Sequence, residues 1–110
     1  MKLISIYVTY PDNDSADSLT LSLLENKLVA CGNRFSSESQ YPWGGEIQKE
    51  NETIVVYKSR SENWESIRSH IEENHPYDVP CIVKYEIEVN TSYGEWVMDS
   101  TQSSGIHSKS

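Results

Sequence analysis

The segment Thr53-Ile54-Val55-Val56-Tyr57 is β-branched or aromatic at every position, so both of its alternating phases favour burial. A strand of this kind needs cover on two faces, unlike a strand that turns one face to water. It is the centre of a longer strand pattern, Ile47 to Lys58. Leu3 to Tyr10 has the same double-phase character and stops at Pro11-Asp12-Asn13-Asp14, a cluster of turn formers. With 110 residues the chain holds one domain, so these two strands belong to one sheet around one core.

The other elements follow from local pattern. Asp, Asn and Ser residues after the first strand are N-cap candidates, and Asp17 sits in the first turn of a helix whose apolar stripe is Ala16, Leu19 and Leu23. Leu21 and Leu24 lie off that stripe, and Asn26-Lys27 marks the end. Leu28 to Phe35 is a second strand, followed by a polar, turn-rich section, Ser36 to Gln40. Tyr41-Pro42-Trp43-Gly44-Gly45 then reads as a hairpin tip. Ser61 is placed to cap a second helix carrying Trp64, Ile67 and Ile71, which Asn74-His75-Pro76 ends. Cys81 to Val89 alternates as a fourth strand, and Tyr93 to Met98 forms a short helix. Residues 101–110 are polar and aperiodic, a disordered tail behind a domain of residues 1–100.

The order β-α-β-β-α-β plus a terminal helix predicts an α+β, ferredoxin-like antiparallel sheet of strand order 4-1-3-2, with both main helices on one face. The other face then has no cover from this chain, although strands one and three are apolar on it. Further copies of the protein are the economical cover, so a homo-oligomer is expected.

Charge narrows the partners. Nine Lys and Arg against 17 Asp and Glu give a formal charge of −8, which argues against nucleic acid and anionic membranes. No apolar run approaches the ~20 residues of a membrane span. Met1-Lys2 leads straight into a strand pattern, with no leader-like apolar segment, so the expectation is a cytoplasmic protein. Its two cysteines are then reduced thiols.

A set of motifs runs through this framework. Thr9-Tyr10-Pro11-Asp12 follows the first strand, Leu28-Val29-Ala30-Cys31-Gly32-Asn33 the first helix, and Tyr41-Pro42-Trp43-Gly44-Gly45-Glu46-Ile47 makes the hairpin. Lys58-Ser59-Arg60, His75-Pro76-Tyr77-Asp78-Val79-Pro80 and Tyr93-Gly94-Glu95-Trp96-Val97 complete it. Over about residues 3 to 99 this resembles the CutA family of divalent-cation-tolerance proteins, and the His-Pro-Tyr block is its most distinctive part. The resemblance implies a tight trimer of ferredoxin-like subunits, close to the PII signalling proteins. It also implies a role in tolerance of copper and other divalent cations, without enzymatic activity or a required cofactor. Its site would lie in a cleft between subunits, with Cys31 and His75 as metal candidates and Lys58 and Tyr77 as ligand-binding ones. Three departures from the family pattern stand out: Gly32 where valine is usual, the polar run Arg34 to Gln40, and Pro42 in place of one of two aromatics.

Each candidate also has a plain reading. Strands two and four lie on opposite sides of the sheet, which argues against a Cys31–Cys81 bridge. Cys81 reads as a small buried hydrophobe; Cys31 reads as the same, or as a thiolate suited to Cu(I). His70 and His75 are five residues apart, ~140° around a helix, so they do not form a metal pair, and His107 lies in the tail. His75 suits a metal site, or simply a helix C-terminus where an imidazole meets the dipole. Lys58 reads as an anion-binding group or as a lysine reaching for solvent. Arg60 reads as a surface charge, the three tryptophans as core or interface anchors, and Glu50, Glu52, Glu72 and Glu73 as solvated faces.

Three functional classes meet these features. The first is a cation-binding tolerance protein, and the second a PII-like sensor of a small anionic metabolite that uses Lys58. The third, an acylphosphatase-like hydrolase, fails because the carboxylates of Asp12 and Asp14 in the loop after strand one repel phosphate. An RNA-recognition module fails too, since its third strand needs exposed aromatics where this chain has Ile54-Val55-Val56.

Overall fold

The computed structural model describes residues 1–102. Strands β1 (Leu3–Tyr10), β2 (Cys31–Trp43), β3 (Glu46–Arg60) and β4 (Ile82–Ile87) form one antiparallel sheet of order β2-β3-β1-β4, as expected. Helices α1 (Asn13–Glu25) and α2 (Trp64–Asn74) connect them, and α3 (Thr91–Ser100) closes the chain.

The main core lies between the sheet and α1 and α2. Ile4, Ile6, Val8 and Tyr10 of β1 and Val55 and Tyr57 of β3 meet Ala16, Leu19 and Leu23 of α1 and Ile67 and Ile71 of α2. A hydrogen-bonded chain crosses this core: the Tyr57 hydroxyl lies 2.7 Å from that of Tyr10 and 2.8 Å from Thr20 Oγ1. Burial pushes both phenols up in pKa, so they stay protonated. Leu21 and Leu24, off the stripe, are exposed.

Local chemistry sets the element ends. Asp12 caps α1, its Oδ1 accepting the Ser15 N–H at 2.8 Å. At the other end Lys27 adopts φ +57°, with Lys27 N–H bonded to Leu24 O and Leu28 N–H to Leu23 O. That is the left-handed helix ending usually given to glycine. Ser61 does not cap α2 as expected; it opens a single 3-10 turn, Ser61–Asn63, ahead of it.

The β2–β3 hairpin departs from expectation. Ser36 to Gln40 is strand, paired residue by residue from Ser36↔Thr53 to Gln40↔Lys49, and the reversal falls at Gly44 and Gly45, both at positive φ. β1 ends opposite Thr53, so the polar residues belong to a two-stranded ribbon that projects past the sheet. Water on both sides of that ribbon removes the apolar alternation that marks a strand.

The second face of the sheet is also only partly as expected, because α3 covers one end of it. Leu3, Ala30 and Val97 are buried together there, with Ile87, Tyr93 and Met98 at the margin. Beyond α3 the face is open, and Phe35, Val83 and Tyr85 are exposed. Arg60, expected at the surface, holds α3 in place: its guanidinium donates to Met98 O (2.6 Å), Thr101 O (2.7 Å) and Thr101 Oγ1 (2.9 Å). A cation at a helix C-terminus is favoured by the dipole. Thr101 is buried and Gln102 N–H reaches Lys27 O, so these two residues pack against the domain. His107 and the rest of the expected tail, from residue 103, lie outside the described residues.

Candidate functional site

The open face has a different polar cluster at each end. At one end Cys31 starts β2 directly opposite Lys58 of β3. Its thiol is half-buried and unbridged, with Sγ 3.4 Å from the Tyr93 hydroxyl of α3. That contact, with burial second, raises the Tyr93 phenol to about 12, so it stays protonated. Lys58 Nζ donates to Asn33 Oδ1 at 3.4 Å and, among the described residues, forms no ion pair. Tyr93 is a neighbour that sequence spacing did not point to, because α3 lies more than sixty residues beyond Cys31.

At the other end the chain leaves α2 at His75, whose extended backbone (ψ 141°) is the conformation a following proline requires. The imidazole turns back over the end of β1. It stacks on Tyr10 with centroids 4.9 Å apart, donates from Nε2 to Thr9 O at 2.7 Å, and accepts the Tyr77 N–H at Nδ1 over 3.0 Å. A carbonyl on one nitrogen and an N–H on the other fix the neutral Nε2–H tautomer. Burial lowers the His75 pKa below its ordinary value, against the opposing pull of Thr9 O and the Glu52 carboxylate.

The loop ordered by His75 delivers Tyr77, whose hydroxyl donates to Glu52 Oε2 at 2.6 Å. Burial and then Glu52 push the phenol up, so it keeps its proton. Glu52, expected on a solvated face, is only 8% exposed. Cys81, expected in the core, is exposed instead: it stands just before β4 at an open corner of the sheet. Burial of its sulfur and then Glu52 raise its pKa, so it is a thiol and not a thiolate. Between the loop and the ribbon lies a cleft of about 650 Å³ lined by Thr9, Tyr41, Trp43, Glu50, Glu52 and Tyr77, among others.

The four residues singled out from sequence thus fall into two pairs, Cys31 with Lys58 and His75 with Tyr77. Lys58 and Glu52 are six residues apart on β3, about 20 Å at the rise of an extended strand. Within one chain the pairs do not meet. As a metal candidate His75 changes meaning, since both ring nitrogens are already engaged and no lone pair is free. It holds the loop. Among the described residues no group of three His, Cys, Asp or Glu is arranged for a metal ion. His70 Nε2 bonds Ser22 Oγ at 2.8 Å and joins α2 to α1. No helix among the described residues is long and apolar enough to cross a membrane.

Comparison with known proteins places this geometry in context. Residues 4–100 match the family model described as CutA1 divalent ion tolerance protein. The divalent-cation tolerance protein CutA of Thermococcus kodakarensis is 40% identical over 98 residues, 88% of this chain and 94% of that protein. Its counterpart in Pyrococcus horikoshii is 36% identical over 101 residues, 91% of this chain and 99% of that protein. The crystal structure of CutA1 from Oryza sativa superposes with a TM-score of 0.89 at 34% identity, covering 93% of this chain and 95% of that one. With the sheet order, the His-Pro-Tyr loop and the Cys31 strand end in their expected places, the chain belongs to the CutA1 divalent ion tolerance family.

Proposed function

We propose that this chain acts as a homotrimeric binding protein in tolerance of divalent metal ions, copper above all, and that it works by binding and not by catalysis. Cys31 is the proposed metal-binding residue, with Lys58 beside it and the His75–Tyr77 loop of a neighbouring subunit closing the cleft. The carrying observation is the half-buried, unbridged Cys31 thiol at the rim of a sheet face that α3 only partly covers. A thiol there suits a soft ion such as Cu(I). Exposed Phe35, Val83 and Tyr85 supply apolar area for contact with another copy. Head-to-tail contact around a three-fold axis brings the far end of one subunit to the near end of the next, which the ~20 Å separation within one chain requires. Two free thiols fit the reducing cytosol.

Native mass measured with and without copper tests this. The expected result is a trimer that gains copper, and a Cys31→Ser trimer that does not. A monomer at micromolar concentration contradicts the shared cleft.

Lys58 supports a second reading, because among the described residues its ammonium reaches only the neutral Asn33 side chain, at 3.4 Å. A ligand screen by thermal shift separates the two. Stabilisation by a small anionic metabolite and not by metal identifies a PII-like sensor.

A further inference from the structure

From the placement of the two cysteines on the sheet, we infer that a second thiol completes the copper site, so that Cu(I) is held between Cys31 of one subunit and Cys81 of the neighbouring subunit. The inference rests on the proposed trimer with copper at Cys31, and it adds the second ligand.

Both thiols belong to the open face of the sheet and stand at its opposite edges. Cys31 opens the edge strand β2 and shares a row with Lys58 and Ser5. Cys81 stands just before the edge strand β4; because Ile82 pairs with Val8, Cys81 is level with Thr9. Ser5 and Thr9 lie an even number of residues apart on β1, so both rows face the same way, while Ile4, Ile6 and Val8 between them face the helices. Cys81 accordingly lines the cleft beside Thr9 and Tyr77. Four residues along the strands and three strand spacings across them put the two cysteines roughly 20 Å apart in one chain. They cannot share an ion there. The head-to-tail contact that carries the His75–Tyr77 loop to a neighbour's Cys31 carries Cys81 with it, because Cys81 follows Tyr77 by four residues and lines the same cleft.

The surroundings say which ion. A metal at Cys31 alone has one soft donor, since both ring nitrogens of His75 are engaged. A second thiolate makes a low-coordinate sulfur pair, which suits Cu(I) and falls short of the four ligands of a zinc site. Lys58 is an independent sign. It stands directly opposite Cys31, yet among the described residues it forms no ion pair. A divalent ion on one thiolate keeps a net positive charge, which the ammonium repels. Cu(I) on two thiolates carries one net negative charge, which the ammonium neutralises. Binding needs no electron transfer: two S–H bonds break, two Cu–S bonds form, and two protons pass to solvent.

The test is native mass spectrometry of the full chain with Cu(I) supplied anaerobically as its acetonitrile complex, beside titration against a Cu(I) chelator. Expected is a trimer with one copper per subunit, and a loss of more than about a hundredfold in affinity in Cys81→Ser, beyond what removing a supporting group costs. Lys58→Gln should weaken binding about fivefold, and tighter binding would overturn the net-anionic site. Complementation is the sharper arm. Cys31→Ser and tagged Cys81→Ser, co-expressed, form mixed trimers in which one subunit boundary holds both cysteines. Those trimers should take up one copper, and the unmixed ones none. Copper binding by Cys81→Ser at wild-type affinity overturns the inference and leaves copper at Cys31 standing. Mixed trimers without copper also overturn it, since the two thiols then serve separate sites. A wild-type monomer, or a wild-type trimer that takes no copper, removes the proposed function itself and this inference with it.

Discussion

The two ends of the open sheet face are built from similar materials to opposite effect. At the His75 end the imidazole and the phenol are both committed: imidazole to Thr9 and Tyr77, phenol to Glu52, ring to ring with Tyr10. Around Cys31 and Lys58 the contacts are long and few, a thiol 3.4 Å from one hydroxyl and an ammonium 3.4 Å from one amide. A histidine tied at both nitrogens is a structural latch, whereas a loosely held soft donor remains free to exchange partners. Residue type alone does not separate these roles; the number of engaged lone pairs does.

The largest expected effect comes from undoing the tight end. His75→Ala removes two hydrogen bonds and a stacked ring and leaves Thr9 O and Tyr77 N–H without partners, a loss of about 2–4 kcal/mol by denaturant unfolding. Arg60→Met is the matching cut at the other end. Freeing α3 from three charge-assisted hydrogen bonds should cost about 2–3 kcal/mol. It should also speed alkylation of Cys31 by loosening Tyr93. If Arg60→Met leaves that rate unchanged, α3 does not shield the thiol.

Gly32 sharpens the contrast further. A Cβ there would lie 3.0 Å from Val55 Cγ1 and 3.2 Å from the Tyr57 ring, so that ring occupies the space a valine side chain would need. Gly32→Val should therefore destabilise by about 1–3 kcal/mol, and pairing it with Tyr57→Leu should recover part of the loss.

Mild acid tests the latch. The His75 pKa is lowered in the fold, so on acidification the unfolded chain takes up its proton first, near 6.5. Stability from this group is present above that value and is lost as pH falls through the lower folded pKa. Unfolding measured from pH 7.5 to 5 should show the decline in wild type and a flatter profile in His75→Gln. The smallest effect is a gain: Lys27→Gly, at φ +57° beside the Cys31 strand, should add about 0.5–1 kcal/mol.

How much of this was legible in the sequence follows from the range of the interactions. The stripe Ala16, Leu19, Leu23, the doubly apolar β3 and the proline after His75 are local signals, and each became the expected element. The ribbon from Glu38↔Asn51 outward was hidden because a strand solvated on both faces carries no apolar period. Arg60 and Glu52 were misjudged as surface charges for a different reason. Their partners, Thr101 and Tyr77, lie 41 and 25 residues away, and only the closed fold brings them together. The His-Pro-Tyr motif marked the right loop, but whether its imidazole is free depends on Thr9 O, which no motif records.

Cu(I) titration against a competing chelator, in Cys31→Ser and His75→Gln side by side, decides whether the proposed exchangeable donor is Cys31 or His75. With Cys31 as the donor, Cys31→Ser loses copper while His75→Gln binds it like wild type, though with a less stable fold. The reverse pattern, with Cys31→Ser unaffected and His75→Gln unable to hold copper, would contradict it.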